Sequence, residues 1–210
     1  MTSSSLVIHG TVLSGHTHRA QNFLSMLGVP YRLANSPVAV RQSLAFRALN
    51  PLGQIPVLQD GELIIADSNA ILVYLAKRYG GGAPWLPDDP VTAAHVQRWL
   101  SIAAGEMKYG PAAARALTLW GGPGVLADCH EIAARLLGFM DLHLTAGGFL
   151  AAAHPTIADL AGYPYVARAP EGRISLADYP HVRAWLARVE ALPGFLPMPV
   201  SVVPDGGALT

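Results

Sequence analysis

The chain has 210 residues, of which 51% are apolar and 13% charged, with the charges cancelling at pH 7. That length suits one large domain or two small ones. A neutral chain without a basic stripe lacks the electrostatic footprint of a nucleic-acid binder, and no apolar run approaches the roughly 18 residues that span a bilayer. The single cysteine, Cys129, excludes a disulfide framework, a CxxC pair and a thiolate zinc site. The N-terminal MTSSSLVIHG has no basic region followed by a long apolar stretch, so no signal peptide is expected. The expectation is a soluble cytoplasmic protein with no metal, no resident cofactor, no nucleic-acid partner and no membrane partner.

Taken in chain order, Leu6 to His9 is a short apolar strand. The spacing of Ala20, Phe23, Leu24 and Leu27 predicts a helix from about His16 to Leu27, with Gly28 as its C-terminal stop. Tyr31 to Leu33 can form a second strand, and Ser36 to Leu49 is polar and irregular. Val57-Leu58-Gln59 and Leu63-Ile64-Ile65 flank Asp60-Gly61, which predicts a hairpin with a type I′ turn. Ser68 to Tyr79 reads as a helix with Ala70, Ile71, Tyr74 and Leu75 on one face. The order β-α-β-(irregular α)-β-β-α is a compact α/β unit over residues 1–80.

Residues 81–90 belong to a glycine- and proline-rich joint, GGGAPWLPDDP, where periodicity lapses. Residues 91–210 read as all-helical. Val91 to about Leu119 forms one long helix or two, with Pro111 as the kink or break. Leu126 to Leu144 is another helix, and Asp178 to Leu192 is the last. Between them Pro155-Thr156-Ile157-Ala158-Asp159 opens a helix through a capping-box variant, with Asp159 replacing the usual Glu or Gln. This segment reads as structural.

Several stretches together strongly resemble the cytosolic glutathione transferases: SGHTHRAQNFLSMLGVPY, NPLGQIPVL followed by DGELIIADSNAILVYLAKRYG, PTIADLAGYPYVARAPEGR, and YPHVRAWLARVEALPGF. The match runs in the family's order from about Leu6 to Met198. The resemblance implies a thioredoxin-like α/β N-terminal domain and an all-α C-terminal domain that forms the electrophile pocket, usually assembled as a homodimer. It implies glutathione as co-substrate, with a serine-type, bacterial-type active site.

A glutathione site must supply an edge for the peptide backbone, a seat for the γ-glutamyl carboxylate, and a donor that favours the thiolate. By the resemblance, Ile55 offers its main chain next to a cis Pro56, and Gln54 can reach the glycyl carboxylate or the main chain. Arg41 is a weaker candidate. Asp67 can take the α-ammonium group, and Ser68 the carboxylate at a helix N-terminus. Ser68 can equally serve as the cap of that helix. A free thiol has a pKa of about 8.5, which a hydroxyl donor and a helix N-terminus can lower. Ser14 matches the position of that donor, and Thr17, three places on, is its rival. Cys129 reads as a buried small residue.

His16 and His18 diverge by about half a turn if helical, so they are not expected to share a metal. They either line the mouth of the glutathione site or face solvent. Arg19 is expected to tie its helix to a carboxylate. Met107, Gly110 and Arg115 are candidates for the second-substrate pocket by loose analogy. Two functions follow. The first is a glutathione transferase acting on apolar electrophiles, with secondary glutathione peroxidase activity toward organic hydroperoxides. The alternative is a non-catalytic scaffold of the same fold that binds glutathione or hydrophobic ligands.

Overall fold

The structure, a computed structural model, describes residues 6–204. The reading of the N-terminus and the outer ends of the two expected domain ranges lie partly outside those residues. The chain forms two compact units, one of Met1–Ala93 with Glu190–Pro199 and the other of Ala94–Val189 with Val200–Thr210.

The first unit is built on a four-stranded sheet of order β2-β1-β3-β4. The strands are β1 (Leu6–Gly10), β2 (Tyr31–Asn35), β3 (Val57–Asp60) and β4 (Leu63–Ala66). β1 pairs parallel to β2 and antiparallel to β3, and β3 pairs antiparallel to β4. Parallel pairing needs a crossover, which helix α1 (Gly15–Met26) supplies. Ile8, Val57 and Leu58 of the inner strands are buried, as are Ala20, Phe23 and Leu24 of α1. α1 packs against α4 (Ser68–Tyr79), which buries Ile71, Leu72 and Leu75. Each large aliphatic side chain removed from water in this way contributes about 1.5–3 kcal/mol before the entropy of ordering is counted.

Gly28 does terminate α1. At φ 64 it lets its own N–H reach Ser25 O and that of Val29 reach Leu24 O, the paired bonds of a Schellman motif. The irregular stretch resolves into α2 (Val38–Gln42) and α3 (Leu44–Leu49), with Ser43 closing the first and capping the second by accepting from Phe46 N at 3.2 Å. The hairpin turn lies one residue later than Asp60-Gly61. Asp60 pairs with Leu63, so Gly61 and Glu62 form the loop. Only Gly61 takes positive φ, which is the II′ pattern and not I′.

Asp60, freed from the turn, accepts hydrogen bonds from Tyr74 (2.6 Å) and Tyr79 (2.5 Å) through one carboxylate oxygen. Burial first, and then the carboxylate, push the Tyr79 phenol up to about 12, and Tyr74 moves in the same direction. An acid raised in the folded state lends stability below its ordinary value of about 10 and loses it as pH climbs through the folded value. Phenolate absorbance should therefore show these two tyrosines ionising above the ordinary value of about 10. Asp60→Asn should lower the Tyr79 transition while leaving it above 10, since burial remains.

The second unit is helical: α5 (Pro90–Ala104, which begins in the first unit), α6 (Ala113–Trp120), α7 (Leu126–His143), α8 (Ile157–Ala167) and α9 (Pro180–Glu190). Pro111 marks a break in the α-helix, which the backbone passes as a π-helical turn over Lys108–Ala112. Gly110 within that turn lies on α7, where an added Cβ would meet Ala133 N at 3.0 Å. The capping box at α8 is complete. α9 borrows its cap from α7, as Asp141 accepts from His181 N and Val182 N. Among the described residues no helix is long and apolar enough to cross a membrane.

Candidate functional site at two helix N-termini

Ser14 is the N-cap of α1. Its backbone is extended (φ −80, ψ 118), and its Oγ accepts from Thr17 N at 3.2 Å. Capping uses the oxygen as an acceptor and leaves the hydroxyl proton to donate elsewhere. The residue is half-buried. Thr17 is fully buried, and its hydroxyl accepts from Thr11 N at 3.4 Å. It fills the space that only a glycine at position 10 leaves, since a Cβ there would come within 2.4 Å of the Thr17 side chain. The two hydroxyls thus occupy different settings, one at a helix mouth and one in the core.

The Ile55–Pro56 peptide is cis. Gln54 is exposed, and its carbonyl accepts from Asn50 Nδ2 at 2.9 Å. Asn50 Oδ1 also accepts from Leu52 N, so this buried side chain braces the whole loop that presents Ile55. Sequence reasoning passed over Asn50, although an Asn-Pro pair is a turn signal.

At the start of α4 the roles differ from those expected. Asp67, not Ser68, is the N-cap, and its Oδ1 accepts from Asn69 N at 2.9 Å and Ala70 N at 3.0 Å. It does so at φ 78, an uncommon backbone state for a residue with a side chain. Two of the first N–H groups of α4 are therefore already committed. Ser68 is buried and sits 2.9 Å from His16 Nδ1 and 3.1 Å from Arg19 Nη1. Those contacts bring the N-termini of α1 and α4, the positive ends of two dipoles, side by side.

Arg19 is buried, and Nη1 also reaches Asn69 Oδ1 (3.2 Å) and His16 Nδ1 (3.1 Å). His18 does not face solvent. It is buried, with Nε2 2.7 Å from Leu196 O and its ring edge-on to Phe195. Its neighbour Asn22 accepts from Leu196 N, so both residues hold the returning segment onto α1.

The three second-substrate candidates are all buried. Met107 and Gly110 are buried in the helical unit, Met107 against Gly162. Arg115 is 2% exposed and forms a 2.6 Å ion pair with Glu171, which also accepts from Ser201 N. A groove of about 420 Å³ in the same unit lies instead along α5 and α7, where Ile102, Leu136 and Phe139 meet Arg98 and Arg135. Cys129 is buried, and burial raises its thiol above the ordinary value, the setting of an inert cysteine.

A sheet of this topology with a cis-proline before β3, joined to a helical unit, defines the thioredoxin-like plus all-α architecture. Family models agree: "Glutathione S-transferase, N-terminal domain" matches residues 8–83, and "Glutathione S-transferase, C-terminal domain" matches residues 125–193. Glutathione S-transferase 3 of Zea mays is 29% identical over 202 residues, covering 90% of this chain and 91% of its own. The crystal structure of a glutathione S-transferase from Xanthobacter autotrophicus Py2 is 36% identical with a TM-score of 0.84, covering 93% of this chain and 97% of that one. That of a glutathione transferase homologue from Drosophila mojavensis, with bound glutathione, is 25% identical with a TM-score of 0.81, covering 90% and 89%. The chain belongs to the cytosolic glutathione transferase family.

Proposed function

We propose that the protein adds the glutathione thiolate to an electrophilic carbon of an apolar substrate, with the Ser14 hydroxyl donating to the sulfur. The observation that carries this reading is the placement of Ser14 at the mouth of α1, with its oxygen spent on the cap and its proton available. A donor and a positive helix end both favour S⁻ over SH. The thiol proton leaves to solvent, the sulfur forms the new bond to carbon, and the leaving group departs with its electron pair.

Glutathione is held by the Ile55 main chain beside cis Pro56, by Asp67 at its ammonium group and by Ser68 at its γ-glutamyl carboxylate. Gln54, exposed at the loop, reaches the glycyl end. The electrophile docks on the helical unit. Because Met107, Gly110 and Arg115 are buried there, they shape that unit from beneath. The functional form is a homodimer. A secondary peroxidase activity uses the same thiolate: it attacks the outer oxygen of an organic hydroperoxide, the O–O bond breaks and the alcohol leaves, and a second glutathione displaces water from the resulting sulfenic acid to close the disulfide.

Calorimetric titration with glutathione and turnover of an activated aryl halide test the reading together. Binding with turnover is expected. Neither heat at millimolar glutathione nor product would leave a scaffold. Ser68→Ala should raise the glutathione dissociation constant by about ten-fold or more, the scale of one lost hydrogen bond to a charged group.

A further inference from the structure

The Ser68 hydroxyl meets two residues of α1 before it meets any ligand. Arg19 Nη1 lies 3.1 Å from Ser68 Oγ and 3.1 Å from His16 Nδ1. A guanidinium only donates, so both of those atoms accept from it. The tautomer that satisfies this contact leaves His16 Nδ1 without a proton, with the two N–H groups of Nη1 shared among Ser68, His16 and Asn69. The 2.9 Å contact between Ser68 Oγ and His16 Nδ1 can then have one polarity only, with the serine donating to the imidazole. In the resting site the one proton that Ser68 can offer an anion is already given to His16.

Asp67 sharpens the consequence. Its carboxylate takes the N–H groups of Asn69 and Ala70, so the Ser68 hydroxyl is a principal remaining donor at that helix end. A ligand must win this proton from an imidazole nitrogen. An ionised carboxylate is the stronger acceptor, since charge-assisted hydrogen bonds are roughly twice as strong as neutral ones. A neutral carbonyl is not. When the proton turns outward, His16 keeps its bond from Arg19 and no buried acceptor is stranded.

We propose that His16 is a specificity-determining residue, which by holding the Ser68 proton makes the site select an ionised γ-glutamyl carboxylate over a neutral acceptor of the same shape. The inference rests on the reading of Ser68 as the carboxylate contact. His16 acts through Ser68 and is a positioning residue in this respect.

Inhibition constants for S-methylglutathione and for its analogue with the γ-glutamyl α-carboxylate converted to a primary amide test it. The thiol is blocked in both, so sulfur ionisation drops out. The wild-type protein should discriminate against the amide. His16→Phe, which keeps a ring but no acceptor, should narrow that ratio by about three- to ten-fold, mainly by improving the amide, as befits one neutral hydrogen bond. His16→Ala should give the same direction if the larger ring misfolds the site, and His16→Asn, which restores an acceptor, should recover part of the ratio. In a Ser68→Ala background His16→Phe should change the ratio no further, because the two substitutions remove one interaction. An unchanged ratio in both His16→Phe and His16→Ala overturns the role of His16 alone. Unchanged affinity for S-methylglutathione in Ser68→Ala overturns the reading of Ser68, and this inference with it.

Discussion

Asp159→Ala should destabilise the helical unit by about 3–5 kcal/mol, the cost of removing one side of a buried charged network. The carboxylate is fully buried and receives four hydrogen bonds: from Leu150 N (2.8 Å), Thr156 N (2.9 Å), Trp185 Nε1 (2.9 Å) and the Thr156 hydroxyl (3.2 Å). One side chain thus joins the start of α8, the segment before it and α9. Alanine leaves those donors without an acceptor in a dry interior, at about 1–3 kcal/mol for each that water cannot reach. Burial pushes the Asp159 carboxyl up, while the four donors pull it down. Asp159→Asn separates shape from charge. It keeps one acceptor oxygen but turns an NH₂ group toward donors, so a loss of about 2 kcal/mol or more is expected. Denaturant midpoints followed by helical signal measure both variants, and a cost below about 1 kcal/mol for alanine would reduce Asp159 to a local cap.

The capping role of Asp159 is legible in the sequence, because Thr156 and Asp159 stand three residues apart and the box closes locally. Its bond to Trp185 is not, being 26 residues distant. The same division runs through the molecule. Ser14 and Gly28 can be read as helix ends because cap chemistry uses neighbours within three or four residues. The partner of Arg115, Glu171, stands 56 residues away, and no local pattern points to it. His18 looks like surface until Leu196, 178 residues on, meets its ring. The shift of the hairpin by one residue has a different origin. Asp-Gly marks a turn without saying which of its residues pairs across the ladder, and Asp60 is drawn into the strand by two tyrosines from α4. The helices α2 and α3 could be read only as an irregular α segment because Phe46 alone among their residues is buried, so they carry no periodic apolar face.

Ser14→Ala should lower kcat/KM for glutathione conjugation by about ten- to a hundred-fold, the scale of losing one placed donor to a developing or standing anion. The pH at which the bound thiol ionises should move toward its free value of about 8.5, so part of the loss should return in alkaline buffer. Because Ser14 also caps α1, alanine removes a helix cap worth about 1 kcal/mol, and a drop in activity alone could reflect a frayed helix. Ser14→Asp separates the two. Aspartate is a good cap, so α1 and overall stability should be preserved, but it has no proton to donate and sets a negative charge against the sulfur. Its activity should fall below that of Ser14→Ala even though its stability exceeds it. No merely structural role for Ser14 produces that inversion. Thr17→Val completes the test. The hydroxyl there is buried under Gly10 and accepts from Thr11 N, so the isosteric change should cost some stability and leave the thiol ionisation where it was. Were Ser14→Ala fully active and Thr17→Val inactive with a raised thiol pKa, the donor would be Thr17, and α1 would have to open at its first turn to expose it.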